Sequence, residues 1–449
     1  MLRRDILYFR LFCVIFWLQA GMGVITSELI PSLSSLYRPM VLLCDPILVS
    51  MGLTLLKDRV PRILLLVFCA IAFVSSLVLN HNGVITTLNG ARDFLPIIFG
   101  LPLIQYFFTC PHSAYMRESI DRQLYVFLIL QAICITCQFF VYGACDYGGG
   151  TFGNGGSGNV SILIIIISFY FTSRNWDSDN YVKSLKRNLK YILLMYPVML
   201  NETKVSFVFI ALYFLLLFRF EIKSLVKLFI ALPIAAAVGY GLVCMYSSVV
   251  YQDEDGSGDI TSVGFVETYL TGGEDADQLL DFAEGVASGD LDEEGFMTDI
   301  PRFMRMGILI PLVGSTPGGY LFGAGLGQFR GMTMFETTAF FDQYSYFLSG
   351  SVTQFLIIYV QLGFLGFIWY LVWMFHAFRT RHNYGSYSVQ TKLLLASVVI
   401  ITLVYSPCMT SYPFVAILYI ILCACSYPQL SEADKKKAAA APPSVIVGA

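Results

Sequence analysis

The chain has 449 residues, of which 56% are hydrophobic and only 13% are charged, with a formal net charge of −3. A soluble globular domain carries about 25% charged residues, so this composition excludes that class. It predicts an all-α polytopic membrane protein, because a helix satisfies its own backbone hydrogen bonds in lipid.

Apolar runs long enough to cross a hydrocarbon core of about 30 Å recur along the chain. They predict about twelve transmembrane helices, at residues 6–29, 39–56, 62–79, 94–110, 123–143, 159–173, 189–200, 204–220, 226–249, 352–378, 391–408 and 412–427. The first run has no small-residue cleavage site, so we interpret it as a retained span. The two short predicted spans on either side of residues 201–204 are also compatible with a broken or re-entrant hairpin.

These runs divide the chain into an N-terminal transmembrane bundle (1–249), one large loop (250–351), C-terminal transmembrane helices (352–427) and a tail (428–449). Lys and Arg concentrate in the short loops on one side, which the positive-inside rule assigns to the cytoplasm together with both termini. The large loop then lies on the opposite side of the membrane. The low-complexity tail predicts a disordered segment.

The large loop has two parts of different composition. From Tyr251 to Pro301 it holds 15 Asp and Glu residues and no Lys or Arg, which is typical of a solvated lid. We expect one amphipathic helix at about 274–287, and a Ca²⁺ site at Asp253–Asp255 is a weak alternative without EF-hand spacing. Between residues 300 and 348 the loop becomes Gly-rich, and FGAGLGQF favours a tight, close-packed turn. No strand precedes these glycines, so we reject a nucleotide-binding fingerprint.

Six basic residues face away from the cytoplasm in this topology, where basic residues are disfavoured. They are Arg38, Arg92, Lys204, Arg302, Arg305 and Arg330. Arg302 and Arg305 are three residues apart and therefore share one helix face, and arginine can bind phosphate bidentately. These residues are candidate phosphate ligands. The alternatives are contact with lipid headgroups, pairing with the acidic part of the loop and, for Lys204, a structural pair with Glu202.

Asp45 lies within a predicted span, where an ionisable group often marks a functional site. Pro46 is expected to break the helix there, so capping of that break by Asp45 is the structural alternative. His81 is the one histidine expected on the outer side, and a polar loop position accounts for it. The sequence has no HExxH motif and no CxxC pair outside the spans, so no metal is predicted.

Four segments resemble the O-antigen polymerase/ligase superfamily of Wzy-type polymerases and lipopolysaccharide ligases. They are GGGTFGNGGSGNVSIL, LNETKVSFVFIALYF (with Lys204 where the family has arginine), RFMRMGILIPLV followed by GYLFGAGLGQF, and VQLGFLGFIWYL. Their order and the position of the loop agree with the family across most of the chain. The ligases carry a His-Asn pair where Val352-Thr353 stand here, which favours the polymerase branch and leaves the general base unassigned.

The resemblance implies a GT-C-like glycosyltransferase of the bacterial inner membrane with a large helical periplasmic loop. Such a polymerase joins undecaprenyl-pyrophosphate-linked oligosaccharide repeats into O-antigen or capsular polysaccharide. An acceptor hydroxyl attacks the anomeric carbon of the donor, and lipid pyrophosphate leaves. The implied partners are these lipid-linked substrates, membrane lipid and a chain-length regulator; neither nucleic acid nor a cofactor is implied.

The resemblance also suggests which residues carry the reaction. Cations would neutralise the pyrophosphate, and the set is Arg302, Arg305 and Lys204, with Arg92 and Arg330 in support. Glu336 or Asp342 would help to deprotonate the acceptor. The alternatives are an O-antigen ligase that acts on lipid A core or protein, a lipid-oligosaccharide flippase or transporter, and a non-catalytic scaffold.

Overall fold

The structure, a computed structural model, describes residues 4–143, 148–153, 156–177, 181–201, 205–218, 300–329, 336–350, 352–379 and 383–428. Regular structure within these ranges is entirely helical. In chain order the α-helices are α1 (Arg4–Val24), α2 (Ser34–Leu55), α3 (Arg59–Phe73), α4 (Val84–Ala91), α5 (Leu95–Thr109), α6 (Ser113–Tyr142), α7 (Ser157–Arg174), α8 (Tyr181–Leu193), α9 (Pro197–Leu200), α10 (Val205–Leu217), α11 (Arg302–Gly314), α12 (Gly319–Phe322), α13 (Ala339–Leu348), α14 (Gln354–Phe378), α15 (Ser388–Tyr405) and α16 (Tyr412–Ala424).

Six of the described helices are long and apolar enough to cross a membrane. They are α6, α7, α14 and α15, together with α1 and α3, which π-helical turns extend to Leu29 and Leu79. Shorter apolar helices are found in α2, α5, α10 and α16. The described part of the chain is therefore an all-helical, multi-pass membrane bundle, as the composition predicts.

The centre of the bundle is formed by α5, α7 and α16, which are buried on nearly every face. Phe107, Phe169 and Phe414 are fully buried there, and the Tyr419 hydroxyl of α16 donates to the Ile97 carbonyl of α5 at 3.1 Å. A helix that is apolar all round belongs in the interior. The two short helices α5 and α16 can therefore lie at the centre, where they contact protein on all sides.

Polar contacts between helix termini identify the two ends of the bundle. Asp5 at the start of α1 pairs with His112 at the junction of α5 and α6. At the other end, Gln138 near the end of α6 donates to Glu28, just after α1, at 2.6 Å. We call the first the N-terminal end and the second the loop end, because the described part of the large loop begins beside it.

Two expectations about helix boundaries differ from the structure. Contrary to the expected break, α2 continues through Pro39 and Pro46, so Asp45 caps no helix end. Proline is tolerated within membrane helices because neighbouring groups satisfy the freed backbone carbonyls. The predicted span 189–200 is divided between α8, which ends at Leu193, and the single turn of α9. α8 carries basic residues at regular intervals, which suits a surface helix rather than a span.

The second half of the large loop has an apolar core of its own against α14. Leu309 and Val313 of α11 and Phe347 of α13 are fully buried, and they belong to one cluster with Leu356 and Val360 of α14. The loop is therefore docked on the first half of α14.

Several predicted features lie outside the described residues. They are the span 226–249, the acidic part of the loop with its expected helix and candidate Ca²⁺ site, Glu202, Lys204, Arg330, the side chain of Arg38, and the tail from residue 429.

Candidate functional site

The Gly-rich stretch of the loop forms the tight turn that the sequence predicts. Gly323, Gly325 and Gly327 have φ values of 73°, 87° and 104°, in the left-handed region that favours glycine. Two polar segments of the bundle hold this turn, one at residues 75–82 after α3 and the other at residues 360–363 of α14. We call the turn and these two segments the glycine clasp.

Four side chains of residues 75–82 bond to the backbone of the turn. The bonds are Ser75 Oγ to the Phe322 carbonyl (2.5 Å), Asn80 Nδ2 to the Gly323 carbonyl (2.9 Å), Asn82 Nδ2 to the Ala324 carbonyl (3.1 Å) and the Leu326 N–H to Ser76 Oγ (2.8 Å). A buried backbone group left without such a partner costs about 1–3 kcal/mol. These side chains therefore allow a loop backbone to lie inside the bundle.

α14 supplies the other side of the clasp at a break in its helix. Gly363 has φ 63° and ψ −159°, so the helical hydrogen-bond pattern stops there. The Ala324 N–H donates to the Val360 carbonyl at 2.7 Å, and the Gly327 N–H donates to Gln361 Oε1 at 2.8 Å. The glycine turn thus binds one backbone carbonyl and one side-chain oxygen of α14, both next to the break.

Adjoining the clasp is a polar cluster of Asp45, Arg92, Asp93 and Gln361, in which Asp93 and Gln361 are buried and the side chains of Arg92 and Asp45 are partly buried. Arg92 Nε pairs with Asp45, and Arg92 Nη1 donates to Asn89 Oδ1 at 3.0 Å. Gln361 Nε2 donates to Asp93 Oδ2 at 3.4 Å. Asp45 is 11 residues into α2, so a rise of about 1.5 Å per residue puts the ion pair roughly 16 Å below the loop end. Arg92, a predicted phosphate ligand, is therefore held inside the bundle.

Arg305 lies in the apolar core of the loop and is only 2% exposed. Its Nη1 donates to the Phe347 carbonyl and its Nη2 to the Ile300 carbonyl, both at 3.4 Å. These bonds tie the start of α11 to the end of α13. The contacts of Arg305 are thus those of a residue that holds the loop together.

Arg302, one turn earlier in α11, is half-buried at the loop end. Its Cζ lies 4.8 Å from the ring centroid of Tyr405, the last residue of α15, which is a cation–π geometry. A Cβ added to Gly158 would lie 3.0 Å from the Tyr405 hydroxyl, an approach closer than most side chains tolerate. Tyr405 therefore connects Arg302 to the Gly/Asn stretch, which leads into the first turn of α7.

Side-chain amides hold that Gly/Asn stretch at the loop end. Gln138 bonds to Gly150 in both directions, donating to its carbonyl at 3.0 Å and accepting from its N–H at 2.7 Å. Asn159 Oδ1 accepts from Ser406 Oγ at 3.2 Å and from Cys408 Sγ at 2.7 Å.

Asn201, at the head of the LNETK segment, reaches the same end. Its Nδ2 donates to Ser161 Oγ of α7 at 3.0 Å, and its side chain contacts Gly148 so closely that no Cβ would fit there. Lys204, three residues further along, lies outside the described residues. The segment that carries Lys204 therefore begins beside the Gly/Asn stretch.

The two candidate carboxylates lie on the surface of the loop. Glu336 is exposed, and its main-chain carbonyl accepts from the Thr86 hydroxyl of α4 at 2.8 Å. Asp342 is exposed in the first turn of α13 and accepts from the Thr337 hydroxyl. Both carboxylates are open to solvent and to an approaching hydroxyl.

Sequence reasoning missed several residues of this site, above all Tyr405, Gln361 and the polar side chains of residues 75–82. For some of these residues the sequence does contain a feature that could have identified them. Ser75, Ser76 and Gln361 are polar residues within apolar runs, and such residues usually have a specific partner inside the bundle. Tyr405 gives no such signal, because tyrosine is common at the ends of membrane helices.

Within the described residues, no group of three or more His, Cys, Asp or Glu side chains is placed to hold a metal ion. A scan against protein-family models finds no match to this chain, and neither does a search of the curated proteins.

Proposed function

We propose that this protein is a Wzy-type polysaccharide polymerase with about twelve transmembrane helices and a GT-C-like fold. It joins undecaprenyl-pyrophosphate-linked repeats on the periplasmic side of the bacterial inner membrane. One observation carries the proposal: segments that resemble the polymerase family, although far apart in sequence, converge at the loop end. Gly158, Asn201 and Arg302 come from three of these segments, and the fourth contains the break in α14 that binds the glycine turn.

The chemistry of this reaction requires a cation and a base near the loop end. The acceptor hydroxyl forms a new bond to the anomeric carbon while the bond between that carbon and the pyrophosphate oxygen breaks. The hydroxyl proton passes to a carboxylate, for which the exposed Glu336 and Asp342 are the candidates. The pyrophosphate leaves with the bonding electron pair, and its growing charge favours a preorganised cation such as Arg302.

The remaining basic residues take different parts in this proposal. Lys204 and Arg330 supply further charge to the pyrophosphate. Arg305 positions the loop through its bonds to Ile300 and Phe347. Arg92 supports the site from below through its pair with Asp45.

Thr353 favours the polymerase over the ligase. The resemblance places the His-Asn pair of the ligases at Val352-Thr353. Here Thr353 is fully buried, and its hydroxyl caps α14 by accepting from the Leu356 N–H at 3.3 Å. A buried hydroxyl that caps a helix is not accessible to a substrate outside the bundle and cannot act as its general base.

The test is complementation of a polymerase-null host that makes the cognate repeat, with glycan ladders resolved on a gel. Wild type should restore a ladder, and Arg302→Ala should lose about 10²–10³ in rate, which collapses the ladder to core plus one repeat. Arg302→Lys, which keeps the charge, should retain part of the ladder. Arg122→Ala is the matched control, since Arg122 lies in α6 near the N-terminal end with its side chain 76% exposed.

The outcomes separate the alternatives. A full ladder from Arg302→Ala at normal protein level would remove Arg302 from the reaction. Long glycan that stays on its lipid carrier when this protein is absent would indicate a ligase. No ladder from wild type in the cognate host would rule out the polymerase and leave the ligase, the flippase and the scaffold as alternatives.

A further inference from the structure

A cavity of about 160 Å³ opens at the N-terminal end of the bundle, opposite the end that holds Arg302. Its walls include Arg117 and Asp121 of α6, Tyr170 and Arg174 of α7, and residues 384–388, which lead into α15. A single water needs only about 10–15 Å³ of such space. The cavity therefore has room for a small polar group.

Arg174 is the most available cation of this cavity. Its Nη1 donates to Asp121 Oδ2 and to the Tyr170 hydroxyl, both at 2.7 Å, and its side chain remains 30% exposed. The other two guanidinium nitrogens of Arg174 make no hydrogen bond with the described residues. A guanidinium has five N–H donors in a fork that matches carboxylate and phosphate oxygens. Most of the donors of Arg174 thus remain for a ligand.

Arg117 forms a second, fixed charge in the wall. Its Nη1 donates to the Pro428 carbonyl and its Nη2 to the Phe108 carbonyl, both at 2.6 Å. Its Cζ lies 4.7 Å from the ring centroid of Phe108 and 5.8 Å from that of Tyr427. Among the described residues that line the cavity, two arginines face the single carboxylate of Asp121, so their summed charge is positive.

The start of α15 adds a third source of positive potential. α15 has 18 residues and begins at Ser388, which lines the cavity with Ser386 and Thr391. The Ser388 N–H donates to the Gly385 carbonyl at 3.3 Å, and the Thr391 N–H and hydroxyl donate to the Tyr387 carbonyl. The helix start therefore contributes chiefly the partial positive charge of its N-terminus. Backbone N–H groups, hydroxyls and guanidinium groups together are the usual ligands of phosphate oxygens.

We infer that this cavity binds a phosphate group, carried by an anionic lipid headgroup or by a soluble phosphate, with Arg174 as its main ligand. The negative charge of Asp121, which bonds to Nη1 of the same guanidinium, repels the phosphate and so limits the affinity. This inference is independent of the proposed polymerase activity, because the site lies at the other end of the bundle and the experiment measures binding.

The test uses the purified full-length chain and two probes. Inorganic phosphate is titrated into protein in a neutral maltoside detergent by calorimetry, and native mass spectrometry counts phosphatidylglycerol retained from mixed phosphatidylcholine nanodiscs. Arg174→Gln should weaken binding about tenfold or more, as expected for a lost charge-assisted hydrogen bond. Asp121→Asn should tighten binding by about two- to fivefold, because a partly exposed negative charge is removed. Arg122→Gln, in the same helix but outside the cavity, should leave binding unchanged.

The two variants are expected to change the binding affinity in opposite directions, and this distinguishes a phosphate site from a purely structural ion pair. Phosphate binding in detergent that follows this pattern identifies a soluble ligand, and phosphatidylglycerol retention alone with this pattern identifies a lipid headgroup. If neither probe binds, or if Asp121→Asn weakens binding as Arg174→Gln does, the pair is only structural and the inference fails. Should Arg174→Gln not fold, Asp121→Asn decides alone, since only tighter binding supports the site.

Discussion

Replacing Gly363 with alanine tests how the break in α14 is stabilised. The φ of 63° and ψ of −159° at Gly363 lie in a region that almost only glycine adopts, and a side chain there costs about 1–3 kcal/mol. The new Cβ would also overlap the main-chain carbonyl of Leu321 in the loop. Overpacking of this kind adds about 1–3 kcal/mol. The two effects together predict that the free energy of unfolding falls by about 2–6 kcal/mol.

The loss should be visible as a lower melting temperature. An unfolding entropy of about 2.1 cal/mol/K per residue, over 449 residues, makes each kcal/mol worth about 1 °C. Gly363→Ala should therefore melt about 2–6 °C below wild type in fluorescence-detected size exclusion after stepwise heating. Gly307→Ala is the matched control in α11, because nothing lies within 4 Å of its added Cβ. It should be neutral or stabilise by about 0.5–1 kcal/mol. If Gly363→Ala is as stable as Gly307→Ala, the reasoning from strain and overlap is refuted.

Two further predictions concern buried polar contacts and use the same melting assay. Asp45→Asn removes the carboxylate from the Arg92 guanidinium, whose side chain is 13% exposed, and should lower the free energy of unfolding by up to about 3–5 kcal/mol, whereas the double variant Asp45→Asn/Arg92→Gln should recover part of that loss. Failure of the double variant to recover would contradict a coupled pair. Ser76→Ala removes the acceptor of the buried Leu326 N–H and should cost about 1–3 kcal/mol. Ser50→Ala, an exposed hydroxyl bonded within its own helix, should change stability by less than about 0.5 kcal/mol, and equal effects of the two would count against the clasp.

The sequence predicts helices well where an apolar run ends at turn residues. α14 begins at Gln354 and ends at Phe378, close to the predicted span 352–378. Local reasoning fails at Pro46, because the helix-breaking effect of proline holds for exposed helices and not for one packed in a membrane bundle. Hydrophobicity alone also misplaces the span 189–200, since it overlooks the basic face of α8.

The candidate site can be predicted from the sequence only in part, because tertiary packing also determines its contacts. The glycines of the loop predict a tight turn, but nothing local predicts that Ser75 and Asn82 would hold it, because partners about 245 residues apart are chosen by tertiary packing. Helical spacing correctly puts Arg302 and Arg305 in one helix. It does not show that Arg302 stacks on Tyr405 while Arg305 is enclosed by the loop. Residues on one helix face contact different neighbours at different positions along the helix.

The glycine clasp also imposes an order on biosynthesis. Asn82 and its partner Ala324 are 242 residues apart, and ribosomes add about 5–20 residues per second, so Asn82 leaves the ribosome roughly 12–50 s before Ala324 exists. During that interval the polar side chains of residues 75–82 have no glycine turn to bind, although they follow directly on α3. The amino-terminal helices must therefore persist in the membrane as an unfinished intermediate, which membrane chaperones can shelter and proteases can remove. α3 is among the first helices to be inserted, and its surroundings are among the last to be completed.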